Sequence, residues 1–194
     1  QNILLSLGSN QGNAFENLQN AIDEIFLKIG SVSQISPVYK TKSWGFEGED
    51  FLNCVIAIQT RLAGETVIDL ILEIEAALGR TRSTDSNYTN RIIDIDILFY
   101  GDKIYNSQKL EVPHPRLHLR NFVLFPLNDV ATSYEHPILK KEIGQLLKET
   151  TDKESPEKQQ RWLKNPQEVY NLSAYNYIAI EGNIGAGKTT LATM

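Results

Sequence analysis

Arg91-Ile92-Ile93-Asp94-Ile95-Asp96-Ile97-Leu98-Phe99-Tyr100 is the stretch whose reading decides how this chain folds. β-Branched and aromatic residues fill it and polarity alternates with period two, so it reads as a β-strand. Successive side chains of a strand point to opposite faces, which puts Asp94 and Asp96 on one face and Ile93, Ile95 and Ile97 on the other. Aspartate is a poor strand former, and like charges roughly 7 Å apart on one face repel unless a cation lies near them. Carboxylate oxygens so placed suit Mg²⁺, which takes one or two carboxylates together with waters and substrate phosphate oxygens. Taken alone, the pair also fits the solvated face of an amphipathic strand.

The flanks of the strand narrow the chemistry. It is fed by Arg80-Thr81-Arg82-Ser83-Thr84-Asp85-Ser86-Asn87-Tyr88-Thr89-Asn90-Arg91, a polar run with three arginines, one acid and nothing that could form core. Guanidinium groups pair with phosphate in bidentate fashion, so arginines at the mouth of a diacid are placed for the oxygens of a metal-bound polyphosphate. Downstream, Ile104-Tyr105 and Leu110 to Val112 read as a small hairpin that runs into Pro113-His114-Pro115-Arg116-Leu117-His118-Leu119-Arg120. The prolines stop the strand, and Arg116 and Arg120 have the i, i+4 spacing of one face of a helical turn. His114 can donate to phosphate or shuttle a proton.

Upstream, residues 2–7 form an apolar strand that enters the turn Gly8-Ser9-Asn10-Gln11-Gly12. Asn13 and Glu16 have capping-box spacing, and Phe15, Leu18, Ala21, Ile22, Ile25 and Phe26 recur at helical spacing until Gly30. Residues 32–39 and 51–60 read as antiparallel strands joined by residues 40–50, a connection long for a hairpin. Trp44 and Phe46 in that connection either tuck under it or close over a flat ligand. Phe51 and Asn53 share a face: an aromatic surface beside a carboxamide able to read a heterocycle edge, or a core residue beside a turn cap. Residues 65–78 read as a second helix with Val67, Leu70, Ile71, Ile74 and Leu78 on its stripe, Glu75 off its centre and Gly79 beyond its end. Residues 122–127 form an apolar run bounded by Pro126, and residues 137–147 read as a last helix.

With 194 residues, 41% of them hydrophobic, the chain has room for one domain of about 150 residues and an appendage. No apolar run approaches the length of about 20 residues that a membrane span needs, and the opening Gln1-Asn2-Ile3-Leu4-Leu5 reads as a strand, not a signal peptide. The single cysteine, Cys54, excludes an internal disulfide, fits a reducing cytoplasm and is expected to be buried in its strand. A net charge of −5 argues against a nucleic-acid binder held by a broad basic face. The expected organisation is a first domain over 1–150, a charged linker over 151–175 and the start of a second unit over 176–194. That start carries Tyr177-Ile178-Ala179-Ile180-Glu181, strand-like, followed by Gly182-Asn183-Ile184-Gly185-Ala186-Gly187-Lys188-Thr189, which matches the P-loop pattern GxxxxGK[ST]. In such a loop Gly182 and Gly187 let the backbone cradle phosphates, Lys188 pairs with terminal phosphates and Thr189 reaches Mg²⁺.

Residues 176–194 resemble the opening of a deoxynucleoside kinase, which implies an incomplete P-loop segment, inactive in the stretch present, and a covalently fused kinase domain in a longer protein. Gly8-Ser9-Asn10, the Thr41 to Asn53 region, Gly79-Arg80-Thr81-Arg82, Arg91 to Asp96 and Val112-Pro113-His114-Pro115-Arg116 together resemble the 6-hydroxymethyl-7,8-dihydropterin pyrophosphokinase family over residues 1–150. The resemblance implies an α+β, ferredoxin-like fold with a central antiparallel sheet flanked by helices. It implies transfer of the β,γ-diphosphate of ATP to the hydroxymethyl oxygen of the pterin, with release of AMP, in folate biosynthesis. It places two Mg²⁺ ions on Asp94 and Asp96, and the pterin on Thr41, Trp44, Phe51, Asn53 and Phe122. Arg80, Arg82, Arg91, His114, Arg116 and Arg120 fall on ATP-side or lid positions, with Glu75, Tyr88 and Ile97 lining the nucleotide and Arg82, Arg91, Asp94 and Asp96 catalytic. Three positions depart from the family's usual residues: Ser43 for a loop proline, Leu72 for a polar nucleotide contact, and Tyr88 for an indole. Two rival classes are a non-catalytic ligand-binding module, which has no need of paired aspartates facing arginines, and a nucleoside kinase whose active part is the P-loop.

Overall fold

The computed structural model describes residues 1–42, 48–80 and 90–170. At its centre is β1 (Asn2–Ser9), an unbroken apolar strand, followed by α1 (Ala14–Lys28). Asn13 caps α1 as expected: its Oδ1 accepts the Glu16 N–H at 3.3 Å, and its Nδ2 donates to the Glu16 carboxylate at 2.9 Å. β2 (Ser31–Ile35), β3 (Tyr39–Thr41), β4 (Phe51–Gln59), α2 (Gly64–Ala77) and β5 (Asp94–Tyr100) follow.

The antiparallel sheet runs β5-β1-β4-β3-β8, with β2 pairing beside β3 on the same edge of β4 and β8 (Glu157–Lys158) added from far downstream. Counting β2 and β3 as one interrupted strand, the order through β5 is β-α-β-β-α-β, as a ferredoxin-like arrangement requires. The single strand expected over 32–39 is broken because Pro37 has no N–H to give to the ladder. Ser36 covers the break: its N–H donates to the Val55 carbonyl and its Oγ accepts the Val55 N–H, both at 2.9 Å.

One face of the sheet is covered by α1 and α2 over a core that includes Leu5, Leu7, Ile22, Ile25, Ile56, Ile71, Ile74, Ile95 and Ile97. On the other face α3 (Asn121–Ala131) and α4 (Ile143–Glu149) cover Leu4, Val55, Leu98 and Phe99. The ladder between β1 and β5 shifts between Leu4 and Leu5, leaving Leu98 as an extra residue, so Leu98 and Phe99 both turn toward α3. A small hairpin, β6 (Tyr105–Asn106) with β7 (Glu111–Val112), forms as expected and leads to a cis Val112–Pro113 peptide.

Three expectations are corrected. The run over 122–127 is not ended by Pro126, which sits buried inside α3; burial of Val123, Leu124 and Leu127 outweighs the helix-breaking cost of about 3 kcal/mol. The last of the expected helices begins at Ile143, because residues 136–141 turn on themselves through the His136 N–H to the Lys141 carbonyl, 2.8 Å, with Lys140 at φ 55°. Lastly, the segment expected as a charged linker packs back on the domain over residues 152–165. β8 pairs with β3, the Gln159 N–H donates to the Val38 carbonyl at 2.8 Å, and the Arg161 guanidinium lies 4.1 Å from the Phe15 ring centroid. A short helix, α5 (Pro166–Tyr170), ends the described chain. Among the described residues no helix is long and apolar enough to cross a membrane.

Cys54 is buried, as expected, and burial pushes its thiol up to about 12. The central position of Ile56, fully buried on β4 under α1 and α2, makes it a gauge of the core. Ile56→Ala is expected to lower the unfolding free energy by about 3 kcal/mol, measured as a shift of the urea midpoint at unchanged slope.

Candidate active site

Side chains of β1 alternate between the two faces, and its cavity-facing members shrink along the strand from Leu4 to Ser6 to Gly8. Leu4 lies under α3, whereas Ser6 stands between Asp96 and Val55, and Gly8 between Asp94 and Asn53. The sheet is therefore left open beyond α3, with small residues as the floor. A Cβ on Gly8 would lie 3.0 Å from the Asn53 Oδ1 and 3.9 Å from the Phe51 ring, so glycine keeps this floor free. Thr41 enters from β3, and the Asn53 Nδ2 donates to its Oγ1 at 2.9 Å, both groups buried. Phe51, Leu119 and Phe122 supply apolar walls to a cavity of about 440 Å³.

A second cavity, of about 590 Å³, opens on the other side of the aspartates between α2, β5 and the 114–120 segment. The two share a wall made of Arg91, Asp94, Asp96, Arg116 and Arg120. At that wall the Arg80 Nη1 donates to Asp94 Oδ1 at 2.5 Å and also to the Glu75 carboxylate, and Arg91 pairs with the other oxygen of Asp94. Glu75, 2% exposed, also accepts the Ile95 N–H at 2.8 Å, tying α2 to the strand that carries the aspartates. Burial works against the charge of Arg80, but Asp94 and Glu75 outweigh it and hold the guanidinium above its ordinary value.

Asp96 is pushed up to about 7, first by burial and then by the negative charges of Asp94 and Glu75, with Arg120 and Arg80 pulling the other way. A divalent cation beside the two carboxylates would reverse that balance. The pair offers two hard oxygen donors beside a cavity lined by arginines, where waters and phosphate oxygens could complete a cation's shell. This donor set fits Mg²⁺.

His114 is anchored by its N–H to the Leu98 carbonyl at 3.0 Å, and its Nδ1 accepts the Arg116 N–H at 3.2 Å. The neutral ring then carries its proton on Nε2. Burial lowers the imidazole to about 4, with the charges of Arg120 and Arg116 acting in the same direction. His114 is a neutral donor in this site, not a cation.

Of the expected residues, Thr41, Phe51, Asn53 and Phe122 meet in the smaller cavity, and Glu75, Arg80 and His114 in the larger, with Arg91, Asp94, Asp96, Arg116 and Arg120 between. The Ile97 side chain lies in the core under α1 and α2, and the apolar lining of the larger cavity includes Ile68, Leu72 and Ile95. Trp44, Arg82, Tyr88 and the P-loop residues Gly182, Gly187, Lys188 and Thr189 lie outside the described residues. Sequence reasoning missed Asn10, 1% exposed. Its Oδ1 accepts the Arg91 N–H at 2.7 Å, and its Nδ2 donates to Asn90 at 2.8 Å and to the Glu49 carbonyl at 3.1 Å, so it ties together the ends of two loops. Ser6, Leu119, Asp152 and Glu154 were also missed; no local pattern marks them, because they meet only through the fold.

Two adjoining cavities with a carboxylate pair and arginines between them define a site for moving a phosphorus group from one ligand to another. Residues 4–132 match the 7,8-dihydro-6-hydroxymethylpterin-pyrophosphokinase (HPPK) family, and the chain belongs to that family. It is 39% identical over 140 residues to the 2-amino-4-hydroxy-6-hydroxymethyldihydropteridine pyrophosphokinase of Porphyromonas gingivalis, covering 70% of this chain and 93% of that one. The enzyme of the same name from Aquifex aeolicus is 36% identical over 152 residues, covering 77% of this chain and 92% of its own. The folic acid synthesis protein fol1 of Pneumocystis carinii is 39% identical over 137 residues, covering 70% of this chain and only 18% of that protein. Among solved structures, Plasmodium falciparum HPPK-DHPS with pteroate superposes with a TM-score of 0.64 at 18% identity, over 76% of this chain and 42% of that one, a likeness of fold.

Because His114 is depressed below an ordinary histidine, the unfolded chain binds more protons than the folded one between about pH 4 and about pH 6.5. Its contribution to stability is complete above that window and is lost as pH falls through it. In NMR titration of the protein the His114 ring is expected to titrate near pH 4; a midpoint at the ordinary histidine value would contradict its burial.

Proposed function

We propose that this chain transfers the β,γ-pyrophosphoryl group of ATP to the hydroxymethyl oxygen of 6-hydroxymethyl-7,8-dihydropterin, releasing AMP, in folate synthesis. The observation that carries the reading is the wall shared by the two cavities, where Asp94, Asp96, Arg91, Arg116 and Arg120 border both at once. A flat acceptor lies in the smaller cavity between Phe51 and Phe122, with Asn53 and Thr41 reading its polar edge. The nucleotide occupies the larger cavity, its base against Ile68, Leu72 and Ile95 and its phosphates toward the arginines.

Asp94 and Asp96 would hold Mg²⁺, which when bound neutralises phosphate charge and orients the oxygens of the triphosphate. Arg80 and Arg91, both paired with Asp94, then have phosphate oxygens as competing partners. Arg116 and Arg120 stand on the acceptor side as well as the nucleotide side, where charge builds during transfer. His114 donates its Nε2–H to phosphate without adding charge. The enclosed position of the acceptor between apolar walls keeps water from taking its place as nucleophile.

The P-loop motif at Gly182 to Thr189 supports a second, fused phosphate-binding unit of the deoxynucleoside kinase kind. It does not compete for the reaction assigned to residues 1–150, which its own pair of aspartates serves.

The products decide the reading. With ATP, Mg²⁺ and hydroxymethyl-dihydropterin, AMP and a diphosphorylated pterin are expected by ion-exchange chromatography; ADP as the nucleotide product would instead mean ordinary kinase chemistry. Asp96→Asn is expected to lower kcat by about 10³-fold or more, the scale of losing a principal electrostatic group. The same variant should keep or slightly raise its thermal midpoint, since a buried like charge is removed. Unchanged turnover would exclude the metal assignment.

A further inference from the structure

The family match ends at residue 132, yet residues 150–158 return to the acceptor cavity as a strap. Asp152 Oδ2 accepts the backbone N–H of Asn121 at 2.7 Å, in the first turn of the 11-residue α3. The Asn121 Nδ2 in turn donates to the carbonyls of Asp152 at 3.1 Å and Glu154 at 2.7 Å, and Asp152 Oδ1 accepts the Glu154 N–H at 3.0 Å. On its other side the strap holds the opposite wall. Glu154 Oε1 accepts the backbone N–H of Lys42, next to Thr41, at 3.1 Å, and three residues later β8 begins to pair with β3. The strap therefore touches both walls of the smaller cavity: α3, whose start carries Arg120 and Phe122, and β3, which carries Thr41.

We infer that Asp152 and Glu154 are positioning residues for the acceptor, holding the α3 and β3 walls at the separation a flat ring needs; this rests on the reading of the smaller cavity as the acceptor site. A carboxylate at a helix N-terminus satisfies a backbone N–H that has no partner within the helix and interacts favourably with the helix dipole. The backbone N–H of Lys42 is fixed in the same way. A ring held between two walls is sensitive to their spacing, because a gap of 0.5 to 1 Å forfeits a quarter to a half of the dispersion attraction. No strap residue borders the larger cavity, so the effect is selective for the acceptor.

The test is calorimetric titration with a non-hydrolysable ATP analogue alone and then with hydroxymethyl-dihydropterin in its presence. In the Asp152→Ala/Glu154→Ala double variant the acceptor is expected to bind about tenfold more weakly and the analogue within about twofold of the parent. Asp152→Asn/Glu154→Gln keeps an accepting oxygen at both places and is expected to restore acceptor affinity. Equal weakening of both ligands, unchanged acceptor affinity, or no rescue by the amide pair would each overturn the positioning role. If the double variant does not fold, Glu154→Ala, which leaves the helix cap in place, carries the same comparison. Phe122→Ala is the control for the underlying reading: acceptor binding equal to that of the parent would remove the acceptor assignment, and the strap's role with it.

Discussion

The site depends on β1 being paired on both sides at once. Ser6 and Gly8 are registered against Asp96 and Asp94 on one neighbour and against Val55 and Asn53 on the other. A slip by one residue in the β1–β5 ladder would turn Ile95 and Ile97 to the cavity and both aspartates into the α1 and α2 core, where unpaired carboxylates are costly. The apolar face thus determines where the charges go. The extra residue at Leu98 confines the departure from this register to the far end of the strand, under α3.

Once the aspartates face the cavity, their mutual repulsion organises what surrounds them. Asp94 is held by Arg80 and Arg91, and Glu75 holds Arg80 from behind while anchoring the backbone of Ile95. Asp96 has burial and two negative neighbours against it, which raise it above an ordinary carboxylate, and positive charge brought near would favour its ionised form. Under the proposed function, this arrangement would suit a metal-bound polyphosphate. Arginine suits this setting because it stays charged when partly buried and can exchange a carboxylate partner for phosphate oxygens.

The smaller cavity is built on different forces. Gly8 leaves the floor open, Phe51 and Phe122 supply dispersion surfaces, and the bonded Asn53 and Thr41 present a polar edge held by the sheet. Its walls come from segments far apart in sequence, and the strap after α4 spans them. The segment that composition marks as a charged linker is part of the pocket wall, since Asp152 and Glu154 find backbone N–H groups that local sequence does not reveal.

Much of this was legible from residue order. Alternation in 91–100 placed Asp94 and Asp96 on one face, helical spacing located α1 and α2, and the Asn13 cap formed as its spacing required. The arginines and His114 were found as candidates because their side-chain chemistry is specific. Pro126 within α3, the break at Pro37 and the strap were not legible, since each is settled by packing or pairing between segments distant in sequence. Residue order therefore dictated periodicity and chemical type, which are local properties. Tertiary structure decided which carboxylate is buried, which arginine holds it and which strand closes the pocket, because burial and charge interaction depend on neighbours that only the folded chain supplies.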